Sequence, residues 1–179
     1  MKKLLRVDLS AWKTELVPMP SEYSGLGGRA LTSRLIKDEV PPACEPLGKH
    51  NKLVIAPGLL GGTPFSSSGR ISVGAKSPLT GGIKESNAGG VTAQKLARLG
   101  IGAVVVEGEA KKKPCLLFIS AHKVSLIHAP ELAGMGNYAL AKLLRERYGQ
   151  HVGIISTGPA GEMGLAAAGV AHTDREGNP

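Results

Sequence analysis

The residues best equipped for chemistry are concentrated between Ser66 and Gly100, in SSSGRISVGAKSPLTGGIKESNAGGVTAQKLARLG. Arg70 opens a short apolar run, Ile71-Ser72-Val73, behind the approach Ser66-Ser67-Ser68-Gly69. A guanidinium is a planar fork that makes two parallel hydrogen bonds to a phosphate. Farther along, Asn87-Ala88-Gly89-Gly90 leads into Val91, Leu96 and Leu99 at roughly helical spacing, with Gly100 placed to end the helix. The first N–H groups of a helix lack partners and carry the positive end of its dipole, and glycines let a ligand approach the main chain closely. The pattern therefore describes an anion site, with Arg70 as clamp and Asn87, Ala88, Gly89 and Gly90 as cradle. The same residues also fit an ordinary turn and a solvated arginine.

Other chemistry is thinly represented. The five histidines, His50, His122, His128, His151 and His172, are scattered, with no i,i+4 pair and no HExxH motif. Cys44 and Cys115 lie far apart without metal-ligand or redox spacing and read as free thiols. Asp174 and Glu176 sit in a turn-rich tail, Asp174-Arg175-Glu176-Gly177-Asn178-Pro179, and a plain turn explains them. Two glycine-rich stretches imitate nucleotide motifs and fail. Gly25-Leu26-Gly27-Gly28-Arg29 has no strand before it and breaks the dinucleotide spacing, while Gly69 to Ser77 carries an extra Ala before Lys76 and runs into Pro78 instead of a helix.

These residues need a scaffold, and the composition limits it. A chain of 179 residues that is 42% hydrophobic suffices for one domain with a sizeable core. With two Phe, three Tyr and one Trp, that core must be aliphatic; 25 glycines and 12 prolines imply many turns and short helices. The formal net charge of +8 favours an anionic partner. Nucleic acid is disfavoured, because few aromatics are available for stacking and the basic residues form no stripe. No run of eighteen apolar residues occurs and the N-terminus lacks a sustained apolar region, so the expectation is a cytoplasmic protein with no membrane segment.

In chain order, Leu4–Leu9 and Glu15–Val17 predict an opening hairpin, and Arg29–Glu39 a helix with Leu31, Leu35 and Ile36 inward, stopped by Pro41 and Pro42. Asn51–Ala56 and Ile71–Val73 read as strands, and Lys76–Gly81 as a loop leading to the Asn87 turn. Ala103–Gly108 is a strand covered on both faces. Lys111-Lys112-Lys113 reads as a solvated hairpin tip before two strands, Pro114–Ile119 and Lys123–Ile127. A second helix spans Asn137–Tyr148 with Leu140, Leu143, Leu144 and Tyr148 on its apolar face. Val152–Ile155 reads as a strand, Ser156–Glu162 as a turn and Leu165–Ala171 as a strand by length. Each half thus offers a helix, strands and a Gly-rich turn, an arrangement compatible with internal duplication.

The motifs LLRVDLS, LGGRAL, NKLVIAPGLLGGT, SGRISVGAKSPLTG, ESNAGG, VVVEGEA and GPAGE, in that order across essentially the whole chain, resemble the N-terminal domain of the aldehyde:ferredoxin oxidoreductase family of tungsten- or molybdenum-containing bis-pterin enzymes. The resemblance implies an α+β fold of two mixed β-sheets related by pseudo-twofold symmetry, with a few short helices. It implies that Arg70, Asn87 and Gly89 contact the phosphates of a tungstopterin cofactor and that the Asn87 backbone carbonyl helps hold a bridging Mg²⁺. It further implies oxidation of aldehydes to carboxylic acids, with electrons passing through a 4Fe–4S cluster to ferredoxin or another acceptor. That cluster's cysteines belong to later domains, which Cys44 and Cys115 do not match. On this reading residues 1–179 form a cofactor-cradling domain, incomplete at its C-terminus and inactive alone. Val91-Thr92 departs from the aromatic pair that relatives often carry after the Gly-Gly turn. The alternatives are a stand-alone pterin-cofactor binding protein and a subunit of a split enzyme; assembly as a homo-oligomer or with a partner subunit is open.

Overall fold

A computed structural model describes residues 2–179. The chain opens with the expected hairpin, β1 (Lys3–Asp8) and β2 (Lys13–Pro18), paired antiparallel from Lys3↔Pro18 to Asp8↔Lys13. Trp12 turns the chain with φ 55°, and Asp8 Oδ1 accepts the Ala11 N–H. A short 3-10 turn at Ser21–Tyr23 then feeds helix α1 (Gly28–Glu39), which buries Leu31, Leu35 and Ile36. Strands β3 (Lys52–Pro57), β4 (Ile71–Lys76) and β5 (Ile83–Ala88) follow, then helix α2 (Thr92–Arg98) and strand β6 (Ile101–Glu107). These six strands form one mixed sheet in the order β2-β1-β6-β3-β4-β5, in which β1–β6 is the one parallel pairing among the described residues.

Alternation along the central strands builds two cores. Leu4 of β1, Val54 and Ala56 of β3, and Ala103 and Val105 of β6 face α1, where Leu31 and Leu35 meet them. Leu5 and Val7, Ile55, Ile71 and Val104 face the opposite way, toward Ala93 and Leu96 of α2. That second face is also covered by a two-stranded ribbon, β7 (Cys115–Ile119) and β8 (Val124–His128), through Leu117, Ile119, Val124 and Leu126. Leu116, the alternate residue of β7, packs with Ala141 and Leu144 of α3 (Asn137–Tyr148) and with Leu132 and Ile154. The layers therefore run α1, sheet, α2 with ribbon, α3. A second ribbon, β9 (Ile155–Ser156) with β10 (Ala171–His172), and the one-turn helix α4 (Gly158–Glu162) close the chain.

The α+β class, the two long helices and the double coverage of β6 agree with the sequence. The second mixed sheet implied by the resemblance is represented here by the two antiparallel ribbons. Five local readings are corrected. Between the expected Lys76–Gly81 loop and the expected Asn87 turn, Ile83–Ala88 is a strand; it is an edge strand with only Glu85 and Ala88 half-buried, so it lacks the apolar alternation that reveals a strand. Asn87 and Ala88 end that strand, leaving Gly89-Gly90-Val91 as the turn. Lys111–Lys113 is exposed but connects the sheet to the ribbon, and is not a hairpin tip. Gly158–Glu162 is helical, with Pro159 in the first turn where its missing N–H is harmless. Leu165–Ala171 is mostly irregular, because its small side chains bury little; pairing is confined to Ala171–His172, and Val152–Ile155 likewise reduces to Ile155–Ser156.

The internal repeat is real in its order of elements. Hairpin, 3-10 turn, helix and strand occur as β1–β2, Ser21–Tyr23, α1 and β3, then as β7–β8, Pro130–Leu132, α3 and β9. Ser24-Gly25-Leu26-Gly27-Gly28-Arg29-Ala30-Leu31 recurs as Ala133-Gly134-Met135-Gly136-Asn137-Tyr138-Ala139-Leu140. Gly25 and Gly134 adopt nearly the same positive φ, 76° and 71°.

Candidate anion site

The β4–β5 hairpin gathers the candidate residues. Its register sets Ile71 opposite Ala88 and Ser72 opposite Asn87, so Arg70, one residue before β4, lies beside the Gly89 end of β5. Arg70 Nε donates to Asn87 Oδ1, and Nη2 donates a long bond to the Asn87 backbone carbonyl at 3.4 Å. Asn87 Nδ2 in turn donates to Ser72 Oγ at 2.9 Å. Arg70, Asn87 and Gly89 are exposed, whereas Ser72 is wholly buried. An ideal Cβ at Gly89 would lie 3.9 Å from Arg70 Nη1, so the guanidinium flanks bare main chain. The corner thus presents a fixed cation, a carbonyl oxygen and unshielded peptide groups together.

The helix part of the expected cradle is different. Helix α2 has seven residues and begins at Thr92, and its first residues, Thr92 and Ala93, are buried. Gly90 is not an open contact point either. A Cβ there would meet His172 Nδ1 at 2.9 Å and the Thr173 carbonyl at 3.0 Å, so β10 lies directly on the turn. Gly90 serves close packing, and Ala88 is half-buried at the strand end. Arg70, Asn87 and Gly89 remain as the exposed set.

Several supporting residues were not singled out from the sequence. Gln94 of α2 holds the loop before Arg70, accepting from the Gly62 N–H at 2.7 Å and donating to Ser68 Oγ at 3.0 Å. Arg29, on α1, pairs with Glu85 Oε2 at 2.6 Å and so neutralises the carboxylate two residues from Asn87. Glu85 Oε1 is buried without a partner, as is His172 Nδ1. Burial pushes the His172 imidazole below the ordinary histidine range, outweighing the upward pull of Asp174 and the Thr173 backbone. Period-two spacing of Ser72, Gly74 and Lys76 on one face of β4 is the signal that would have found Ser72, once β4 was recognised as reaching Lys76.

The remaining polar candidates are structural. Lys76, the lysine of the false P-loop, is buried and donates to the Pro42 and Cys44 carbonyls at 2.5 and 2.6 Å. Asp174 Oδ1 accepts from the Gly177 and Asn178 N–H groups at 2.8 Å, closing the turn expected for that tail. Among the described residues no group of three His, Cys, Asp or Glu side chains is placed to hold a metal, both cysteines are free, and no helix is long and apolar enough to cross a membrane.

The described residues thus form a mixed α+β domain that carries an exposed Arg–Asn–Gly corner on a β-hairpin. Comparison with known proteins then gives the family. Residues 4–178 match the family described as aldehyde ferredoxin oxidoreductase, N-terminal domain, and the chain belongs to that family. It is 36% identical over 163 residues to the tungsten-containing aldehyde ferredoxin oxidoreductase of Pyrococcus furiosus, covering 89% of this chain and 27% of that protein. The protein of the same name from Pyrococcus horikoshii is 35% identical over 171 residues, 94% of this chain and 28% of the relative. In structure the chain is similar to the active-site complex BamBC of benzoyl coenzyme A reductase in complex with 1,5-dienoyl-CoA, with a TM-score of 0.88, 29% identity, and coverage of 95% of this chain and 26% of that one. The chain therefore spans little more than a quarter of the length of these relatives.

Proposed function

We propose that this chain is the cofactor-cradling N-terminal domain of a tungsten or molybdenum bis-pterin oxidoreductase that converts aldehydes to carboxylic acids. On this reading electrons leave through a 4Fe–4S cluster, held outside these residues, to ferredoxin or another acceptor. The observation that carries the proposal is the Arg70–Asn87–Gly89 corner, formed by the motifs through which the family resemblance runs.

The corner fits such a group. Arg70 supplies charge-assisted donors, and its Asn87 partner fixes the fork while leaving the Nη1 edge beside Gly89. The Asn87 carbonyl accepts only a long bond from Arg70 Nη2, and a peptide oxygen of this kind, with two lone pairs, suits Mg²⁺. Arg70 and the Gly89 main chain would hold a pterin phosphate, with the Asn87 carbonyl toward the bridging cation; Ala88 and Gly90 shape the turn. The metal–dithiolene group, when bound, supplies the redox chemistry, and these residues supply binding and orientation. In the full-length protein, Arg70→Ala should lower cofactor affinity roughly tenfold or more, the range of a lost charge-assisted contact. Bound tungsten and pterin per chain should fall accordingly, and an unchanged metal content would sink the assignment.

A split enzyme, with this chain as a separate subunit or pterin carrier, is the second reading. The similarity to a multi-subunit active-site complex is consistent with assembly with a partner, although the matched region there is 26% of a longer chain. Co-purification of a separately encoded partner that restores activity would select it.

A further inference from the structure

We propose that Ser72 is a positioning residue of the anion corner: its buried hydroxyl orients the Asn87 amide, and the amide in turn aims the Arg70 guanidinium. The inference rests on reading the corner as an anion site.

The argument begins with donors and acceptors. A guanidinium only donates, so Asn87 must turn its oxygen toward Arg70 Nε, as it does. The amide nitrogen is then left pointing away from Arg70, and it donates to Ser72 Oγ at 2.9 Å. Ser72 is 0% exposed, so bulk water cannot replace it. Ser72 and Asn87 are directly opposed in the β4–β5 register, which makes the relay a cross-strand pair with a fixed spacing. The opening of α1 lies close by, since an ideal Cβ at Gly28 would be at ordinary van der Waals distance, 3.4 Å, from Ser72 Oγ. Without the hydroxyl the amide nitrogen loses its buried partner, and only Arg70 is left to oppose a flip of the amide. The flipped amide would set an N–H against the Arg70 Nε–H, and the exposed arginine would return to its many rotamers. The relay therefore converts a flexible surface cation into a pre-organised one, and pre-organisation raises affinity by removing an ordering cost from the binding step.

A role confined to the fold would lower stability without regard to Arg70, and a double-mutant cycle separates the two. The full-length protein, freed of cofactor, is titrated with inorganic phosphate. Ser72→Ala should weaken binding about threefold to tenfold, the scale of one net hydrogen bond. In the Arg70→Ala background the same change should have less than about a twofold effect, since the pair is coupled through one network. Ser72→Thr, which keeps the hydroxyl on a strand-compatible side chain, should retain wild-type affinity. An equal loss in both backgrounds, or no loss in either, overturns the relay while the Arg70→Ala effect leaves the anion reading standing. If Arg70→Ala itself does not change phosphate affinity, the anion reading falls and the relay with it. Should Ser72→Ala fail to fold, Ser72→Cys preserves the volume with a weaker acceptor and carries the same comparison.

Discussion

At the residue scale, side chains announce their chemistry in the sequence, but their partners do not. Arg70, Asn87 and Gly89 are legible because a guanidinium, a carboxamide and a glycine turn each have a restricted range of uses. Ser72 is not, because a serine between Ile71 and Val73 reads as a polar gap in a strand until its cross-strand neighbour is known. Gly90 was legible as special but not in its purpose. Its bare Cα makes room for His172 and Thr173 instead of a ligand. Gly90→Ala should therefore destabilise the protein by about 1–3 kcal/mol, the usual cost of overpacking. The check is the urea midpoint of the purified protein, and an unchanged midpoint would show that β10 is not seated on the turn.

At the element scale, α1 is secured by packing and by charge. Gly74 of β4 lets the helix approach so closely that a Cβ there would lie 2.9 Å from Thr32 Cβ. Gly74→Ala should cost about 1–3 kcal/mol by forcing helix and sheet apart, read as a lower melting temperature. At the other end of the helix Glu39 accepts from Arg6 at 2.5 and 2.6 Å and from Lys52 at 2.9 Å, while Lys52 also pairs with Glu107, tying β1, β3 and β6 to α1. Burial alone would raise the Glu39 pKa, but hydrogen bonds from Arg6 and Lys52 prevail and hold it below the usual range. Because the folded value is depressed, this stabilisation is fully present above the ordinary glutamate pKa of about 4.3 and disappears as pH falls through the folded value. Glu39→Gln should flatten that acid limb of the stability curve; an acid limb unchanged from wild type would show that the network does not act in this way. Elements with a strong apolar period, such as α1, α3 and β6, could be read from sequence. Strand β5 could not, because an edge strand needs little apolar surface and its hydrogen bonds leave no mark on composition.

On the scale of the whole molecule, the chain contains two hairpin–helix–strand units in the same order, as an internal duplication would leave them. The repeated Gly-x-Gly-x-x-Ala-Leu segment was available in the sequence, yet the halves diverged in their strands, and only the order of elements reveals the match. The repeat makes a symmetric prediction. Gly25 and Gly134 have matching positive φ and nothing within 4 Å of an added Cβ, so alanine at either site incurs backbone strain without a clash. Each substitution should cost about 1–2 kcal/mol, and the two costs should agree. A large disparity between the two unfolding midpoints would show that the turns are not equivalent.

The seating of His172 and Thr173 on Gly90 also has a temporal meaning. A nascent chain emerges from the ribosome N-terminal end first. Arg70, Asn87 and Gly89 are all synthesised before the residues that close over the neighbouring turn. The corner therefore matures late relative to its own parts: it can be drawn up early by the β4–β5 hairpin, but it acquires its final wall only when the second unit of the repeat has been made and has folded back onto the first.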